Sequence, residues 1–234
     1  MRELVLSLAL LIARASAGKS ILCLHGRGGS ASAFLARGLA PLRDTSAASY
    51  GIKGRARRPV AWEFDAIDST DVSGGWWSYP EGQRSYNADS YTGADESIAA
   101  VEAELATGRY CGLLGYSQGA MLAAVVAARV ALGEDDLGDD ARAKLKFAVI
   151  ASAALPAPFR PVFDRLKEAG GAPTLPTLHC LSTSDTVNPP ALGEELAECF
   201  GSASAQVLWH DAGHELPPKP RLGEVAEWMD LAVG

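Results

Sequence analysis

The sequence is poor in several things that would each define a class of protein. Positive charge is in deficit: 21 Lys and Arg stand against 28 Asp and Glu, for a net charge of −7. That leaves no electrostatic footprint for a polyanion, so nucleic acid is not an expected partner. Cysteine is scarce, with four in 234 residues, too few for a disulfide scaffold. Cys23, Cys111 and Cys180 fall in apolar, strand-like runs, where free buried thiols are common, and we read them as structural. The apolar run 4–12 is too short to span a membrane. Periodic repeats and polar low-complexity tracts are missing as well, which argues against solenoid, collagen-like and disordered chains. What is present is 48% hydrophobic against 21% charged residues, enough for one good-sized core.

The first residues stand apart. The run 4–12 follows Arg2 and precedes Ala15-Ser16-Ala17, a small-x-small triplet of the kind signal peptidase cuts. Glu3 and Arg14 fit that pattern poorly, and an extra helical turn is the alternative. We therefore expect a leader or signal-like extension over 1–18 and one folded domain over 19–234. Gly18-Lys19-Ser20 ends like a phosphate-binding loop, but Ala13 replaces the upstream glycine and a strand follows, so that reading is discarded.

From residue 20 onward short apolar runs alternate with amphipathic ones. Strands are predicted at 21–25, 60–64, 110–116, 147–151, 177–182 and 206–210, several of them continuously apolar and so expected to be buried on both faces. Helices are predicted at 31–39, 95–107, 118–132, 161–169, 191–200 and 221–231. This alternation predicts an α/β fold, a mostly parallel sheet of six or more strands with helices on both faces. Two segments resist the pattern. Residues 65–87 carry Trp76, Trp77, Tyr79 and Tyr86 in a loop too long for an ordinary connection. These aromatics read as a pocket wall or as a satellite hydrophobic cluster; we take Trp76, Trp77 and Tyr79 as candidate substrate-binding residues. The acidic stretch 133–146 reads as a solvated insertion, and 55–58 as a surface charge run.

Gly115-Tyr116-Ser117-Gln118-Gly119 fits G-x-S-x-G where a predicted strand meets a predicted helix. A serine on so sharp a turn needs small residues two before and two after it, and the helix N-terminus beneath can stabilise developing negative charge. Serine needs a base, usually histidine, oriented by an acid. Of four histidines, His25 ends the first strand, His179 lies inside an apolar strand and His210 completes the last one. His214, in a loop, is free to reach Ser117. Asp185 follows the strand at 177–182, at the carboxyl end where α/β sites gather; Asp211 is its rival. The turn Leu24-His25-Gly26-Arg27-Gly28-Gly29 can present the Arg27 N–H beside that of Gln118 as an oxyanion hole. The same turn nearly matches the dinucleotide-binding G-x-G-x-x-G, with Ala31 in the last place, but neither Asp44 nor Glu63 suits the acidic partner that motif needs. His210 and His214 are four apart, yet Gly213 denies them one helical face, so no metal is expected.

Together Leu24-His25-Gly26, the stretch Gly112 to Ala120, the Ser-Asp-Thr-Val loop at 184–187 and His210-x-x-Gly213-His214-x-x-Pro217 resemble the FSH-type serine hydrolases. The likeness runs from about residue 19 to 231, and the paired Trp76-Trp77 is similar to aromatics of the family's long loop. It implies an α/β-hydrolase fold without a cofactor and a Ser117-Asp185-His214 triad. It also implies esterase or thioesterase activity on a small-molecule substrate, which the aromatic loop suggests carries a medium to long acyl or alkyl chain. The family's usual location is cytoplasmic; a secretory or organellar one follows if 1–17 act as a signal. A non-catalytic ligand-binding protein of the same fold is the other reading.

Overall fold

The computed structural model describes residues 20–47 and 62–233; the leader and the 55–58 charge run lie outside them. Six strands form one parallel sheet: β1 (Ser20–Leu24), β2 (Glu63–Ala66), β3 (Tyr110–Tyr116), β4 (Phe147–Ala151), β5 (Thr177–Ser182) and β6 (Ala205–His210), in the order β2-β1-β3-β4-β5-β6. The chain leaves β1 toward one edge to form β2 and returns to the other side as β3. The order therefore reverses between β1 and β3, the position at which an open parallel sheet leaves a crevice beyond its strand ends.

The helices are α1 (Ala31–Ala33), continued by a π-helical segment Phe34–Gly38, then α2 (Ala40–Ala47), α3 (Ala94–Ala106), α4 (Gln118–Leu132), α5 (Asp139–Lys144), α6 (Arg160–Glu168), α7 (Pro190–Cys199) and α8 (Lys219–Ala232). Period-two alternation along the strands divides the interior. Leu22, Leu24, Leu113, Ala148 and Ile150 face one core with α3, α4, α6 and α7. Ile21, Cys23, Leu114, Phe147 and Val149 face the other with Phe34, Leu42, Leu222 and Met229. Helices therefore cover both faces, as the continuously apolar strands require.

Two expectations are corrected. The second strand, expected at 60–64, is described at Glu63–Ala66 and so runs two residues further; 60 and 61 lie outside the described residues. It is an edge strand with Glu63 and Asp65 in it and is only partly buried, so apolar content is a poor guide to its position. The stretch 133–146 is largely exposed, as a solvated insertion would be, but not wholly so: it folds over α3 and α4, burying Leu137, Ala141 and Leu145, and one of its acids, Asp135, is buried with them. The fully buried Asp135 carboxylate pairs with Arg142 at 3.1 Å, while the buried Glu102 of α3 accepts from Arg129 Nε at 2.7 Å and from the Asp136 N–H at 3.3 Å.

The junction of β3 and α4 is held by contact with β1. A Cβ on Gly119 would lie 2.4 Å from the carbonyl oxygens of both Leu24 and His25, and one on Gly115 would lie 2.3 Å from the Gly119 oxygen. Both distances are impossible without moving backbone. We expect Gly119→Ala to destabilise the fold by about 1–3 kcal/mol or more. Gly223→Ala, in α8 where a Cβ meets nothing within 4 Å, should stabilise it by up to about 1 kcal/mol. Urea unfolding of the two variants checks the contrast, and equal midpoints would show that the β1 contact imposes nothing.

Candidate active site

Ser117 occupies the turn between β3 and α4 with φ 55° and ψ −120°, a left-handed conformation that costs a non-glycine residue on the order of 1–3 kcal/mol. Its N–H donates to the Ala151 carbonyl at 2.9 Å, and its carbonyl accepts from the N–H groups of Ala120 and Met121 at 3.0 and 3.1 Å. These bonds and the two glycine contacts hold the strain in place. The Oγ then stands 2.8 Å from His214 Nε2. On the other side of the imidazole, Nδ1 lies 2.8 Å from Asp185 Oδ2. Asp185 Oδ1 accepts from the N–H groups of Val187 and Asn188 at 2.8 and 2.9 Å, so the carboxylate is fixed and its side chain is almost wholly buried. With an acceptor-only carboxylate on Nδ1, the tautomer assigned from these partners has the proton on Nδ1 and a free lone pair on Nε2 facing the serine hydroxyl.

The structure thus brings Ser117, His214 and Asp185 into one hydrogen-bonded line. The rivals lie elsewhere. His210 ends β6 with Nδ1 accepting from the Ala212 N–H at 3.2 Å, and burial lowers its pKa. His179 is a core residue 3.1 Å from Thr177 Oγ1, with a pKa driven down to about 3 by burial. Asp211 is exposed. The four cysteines are buried and form no disulfide; burial raises Cys23 and pushes Cys180 up to about 12, so neither is an available thiolate at neutral pH. Among the described residues no group of three acidic, His or Cys side chains is arranged to hold a metal, and no helix is long and apolar enough to cross a membrane.

A cavity of about 290 Å³ opens beside the serine, lined in part by Gly26, Arg27, Tyr79, Met121, Val187 and Asn188 together with Ser117, Gln118 and His214. Arg27 and Gln118 therefore share the cavity wall with Ser117, one from the β1 turn and the other as the first residue of α4, whose N–H has no intrahelical acceptor. The dinucleotide alternative fails on the same turn. The Ala31 N–H at the start of α1, which a pyrophosphate would need, is taken by Asp68 Oδ1 at 2.7 Å, and the Gly28 N–H by the Gly74 carbonyl at 2.8 Å.

The aromatic loop requires the main correction. Trp76 and Trp77 are 0% and 1% exposed and belong to the core; they do not line this cavity, whereas Tyr79 does. Trp77 stacks on Tyr91 with ring centroids 4.6 Å apart, and Trp76 Nε1 donates to the His25 carbonyl at 2.7 Å. The loop acts as a strut. Gln118 Oε1 accepts from the Trp76 N–H at 3.0 Å and Gln118 Nε2 donates to the Trp77 carbonyl at 2.9 Å, tying the loop to the serine turn. Sequence reasoning gave Gln118 a backbone role and missed this side-chain clamp. The available signal was a lone amide opening a helix whose next ten residues carry no polar side chain.

Two more residues went unnoticed. Tyr116 Oη donates to the His214 carbonyl at 2.6 Å, and burial, followed by the charges of Glu215 and Asp185, pushes its pKa up to about 12. Ser152, at φ 53°, donates from Oγ to the Glu215 carbonyl at 2.8 Å, while its own carbonyl accepts from Asn188 Nδ2 at 2.7 Å. The histidine loop is thus pinned at His214 and at the residue after it.

A serine on a strand-to-helix turn at the switch point of a parallel sheet, backed by histidine and a buried aspartate, defines the α/β-hydrolase class. The Serine hydrolase (FSH1) family model matches residues 15–224, and the chain belongs to that family. It is 36% identical to Esterase OVCA2 of Danio rerio over 148 residues, 61% of each chain. To Esterase OVCA2 of Xenopus tropicalis it is 31% identical over 169 residues, 68% of this chain and 65% of that one. These matches span less than two thirds of the curated relatives' length. Among solved structures, Zea mays acyl-protein thioesterase 2 shares the fold with a TM-score of 0.64 at 20% identity, over 93% of this chain and 94% of that one.

Because Trp77 is core, Trp77→Ala should cost about 3–5 kcal/mol of stability and leave any chain-length preference of the cavity unaltered. Thermal unfolding and a series of p-nitrophenyl esters check the two halves. A stable variant with a flattened ester profile would return the tryptophan to the substrate wall.

Proposed function

We propose that this chain, as one catalytic domain over 19–234, hydrolyses carboxylic esters or thioesters through an acyl-enzyme formed on Ser117. The observation that carries the reading is the 2.8 Å and 2.8 Å relay from Ser117 Oγ through His214 to Asp185. His214 Nε2 takes the hydroxyl proton as Oγ attacks the carbonyl carbon, and the Asp185 carboxylate holds the imidazole and stabilises its cationic form. The N–H groups of Arg27 and Gln118 take the oxyanion of the tetrahedral intermediate. Collapse expels the alcohol or thiol, which leaves with the proton from His214. Water, deprotonated in turn by His214, then attacks the acyl-serine and releases the acid.

The substrate is a small molecule. Its acyl or alkyl chain lies against Tyr116, Met121 and Val187, not against the tryptophans. Each methylene buried there contributes about 0.8 kcal/mol until the cavity is full, which favours medium over acetyl chains and lets longer ones extend past Tyr79. We place this chain in a cytoplasmic setting on the resemblance to its family alone.

Ser117→Ala should abolish covalent labelling by a fluorophosphonate and lower ester turnover by roughly 10⁴-fold or more. His214→Ala and Asp185→Asn should each be severely impaired, with little further loss when combined, since the three act as a unit. Asp211→Asn should keep most of its turnover. Steady-state kinetics on p-nitrophenyl butyrate decides the matter: more than a tenth of the activity left in Ser117→Ala would overturn the assignment, and no labelling of the unmodified protein would favour a non-catalytic binder.

A further inference from the structure

The cavity beside Ser117 carries a charge pattern opposite to that of the chain around it. The net charge is −7, yet Arg27 and Arg84 both line the cavity and no Asp or Glu does. Most other described arginines are matched: Arg43, Arg109, Arg129, Arg142, Arg160, Arg165 and Arg221 each lie against a carboxylate, Arg37 being the exception. Among the described residues neither Arg27 nor Arg84 forms such a pair.

Both are exposed, but the Arg27 guanidinium is oriented by a neighbour and the Arg84 backbone is fixed. Arg27 Nη1 donates to Tyr79 Oη at 2.6 Å, and its guanidinium lies 4.7 Å from the centre of the Tyr79 ring. That contact orients the group without neutralising it. Arg84 projects from a tight turn in which its N–H donates to Asn87 Oδ1 at 2.7 Å and its carbonyl accepts from the Asn87 N–H at 3.0 Å. Two acids stand near without forming an ion pair with either: Glu81 lines the outer recess with both arginines and is exposed, and Asp71 is bonded to its own turn through the Ser73 N–H at 2.8 Å, its carboxyl held low first by that turn and last by the charge of Arg27.

We propose that the ester or thioester taken by this site carries an anionic group, a carboxylate or phosphate, which Arg84 and the Arg27 side chain bind at the cavity mouth while the reacting carbonyl sits at Ser117. The inference rests on the hydrolase reading above and names the substrate class for it. The apolar strip of Met121 and Val187 beside two unmatched guanidinium groups suits an amphiphilic ester with one charged end. The charge could sit on the acid half or on the leaving group, and the two sources are separable.

The test compares kcat/KM within two pairs, the first matched in carbon chain length and the second in shape. Mono-p-nitrophenyl glutarate against p-nitrophenyl pentanoate places the charge on the acid half; 4-carboxyphenyl butyrate against 4-carbamoylphenyl butyrate places it on the leaving group. The charged member should be preferred in at least one pair by roughly tenfold, the size expected of one charge-assisted hydrogen bond at a partly exposed site. In that pair Arg84→Gln should reduce the ratio, Arg84→Lys should restore part of it, and Arg84→Glu should invert it. Added salt should erode the preference in the unmodified protein. Ser117-dependent cleavage of the neutral esters with no preference in either pair, or a ratio unmoved by Arg84→Glu, would overturn this proposal and leave the hydrolase reading standing. Absence of cleavage in all four, together with no fluorophosphonate labelling, would remove both.

Discussion

The start of α4 rests directly on the backbone of β1, and the site depends on that contact. With no Cβ on Gly119, the carbonyl oxygens of Leu24 and His25 approach to a distance that any other residue would forbid. Two consequences follow from the same approach. Ser117 is forced through a left-handed backbone conformation that lifts its hydroxyl above the sheet, and the turn after β1 is brought alongside the helix N-terminus, so that Arg27 and Gln118 flank one cavity.

The remaining parts of the site are fastened to this junction from above. Gln118 uses both ends of its amide to hold the backbone of Trp76 and Trp77, and Trp76 holds the β1 turn through His25. The histidine loop is fixed by Tyr116, which immediately precedes the serine, and by Ser152, which also receives Asn188 from the aspartate loop. Each of the three side chains is therefore tied to a neighbour of another, so the hydrogen-bonded line is set before any ligand arrives. Such preorganisation is where most electrostatic stabilisation of a transition state originates.

How far the sequence could be read depended on whether the signal was local. The strands β3, β4 and β5 were legible to the residue because a strand covered on both faces is apolar throughout. The edge strand β2 was displaced by a few residues because its composition is mixed. That Ser117, Asp185 and His214 come together was legible because glycine spacing and loop position are written in the chain itself. The role of Trp76 and Trp77 was not, since an aromatic in a long loop looks the same whether it faces a substrate or the core. The one buried acid of 133–146 was hidden for a related reason: Asp135 is buried against an arginine seven positions away, and a charge run gives no hint of such a partner. The clamp made by Gln118 spans more than forty residues and had no local mark beyond being polar.

The central claim is that Ser117, held in this strained turn, becomes covalently acylated during turnover. Mixing the protein with a slowly deacylating p-nitrophenyl ester, quenching in acid and recording intact mass followed by peptide mapping tests it most directly. The account predicts one added acyl group, carried on the peptide containing Ser117 and missing from Ser117→Ala. Rapid release of p-nitrophenol with no adduct at that serine, or an adduct on another residue with Ser117 unmodified, would contradict it.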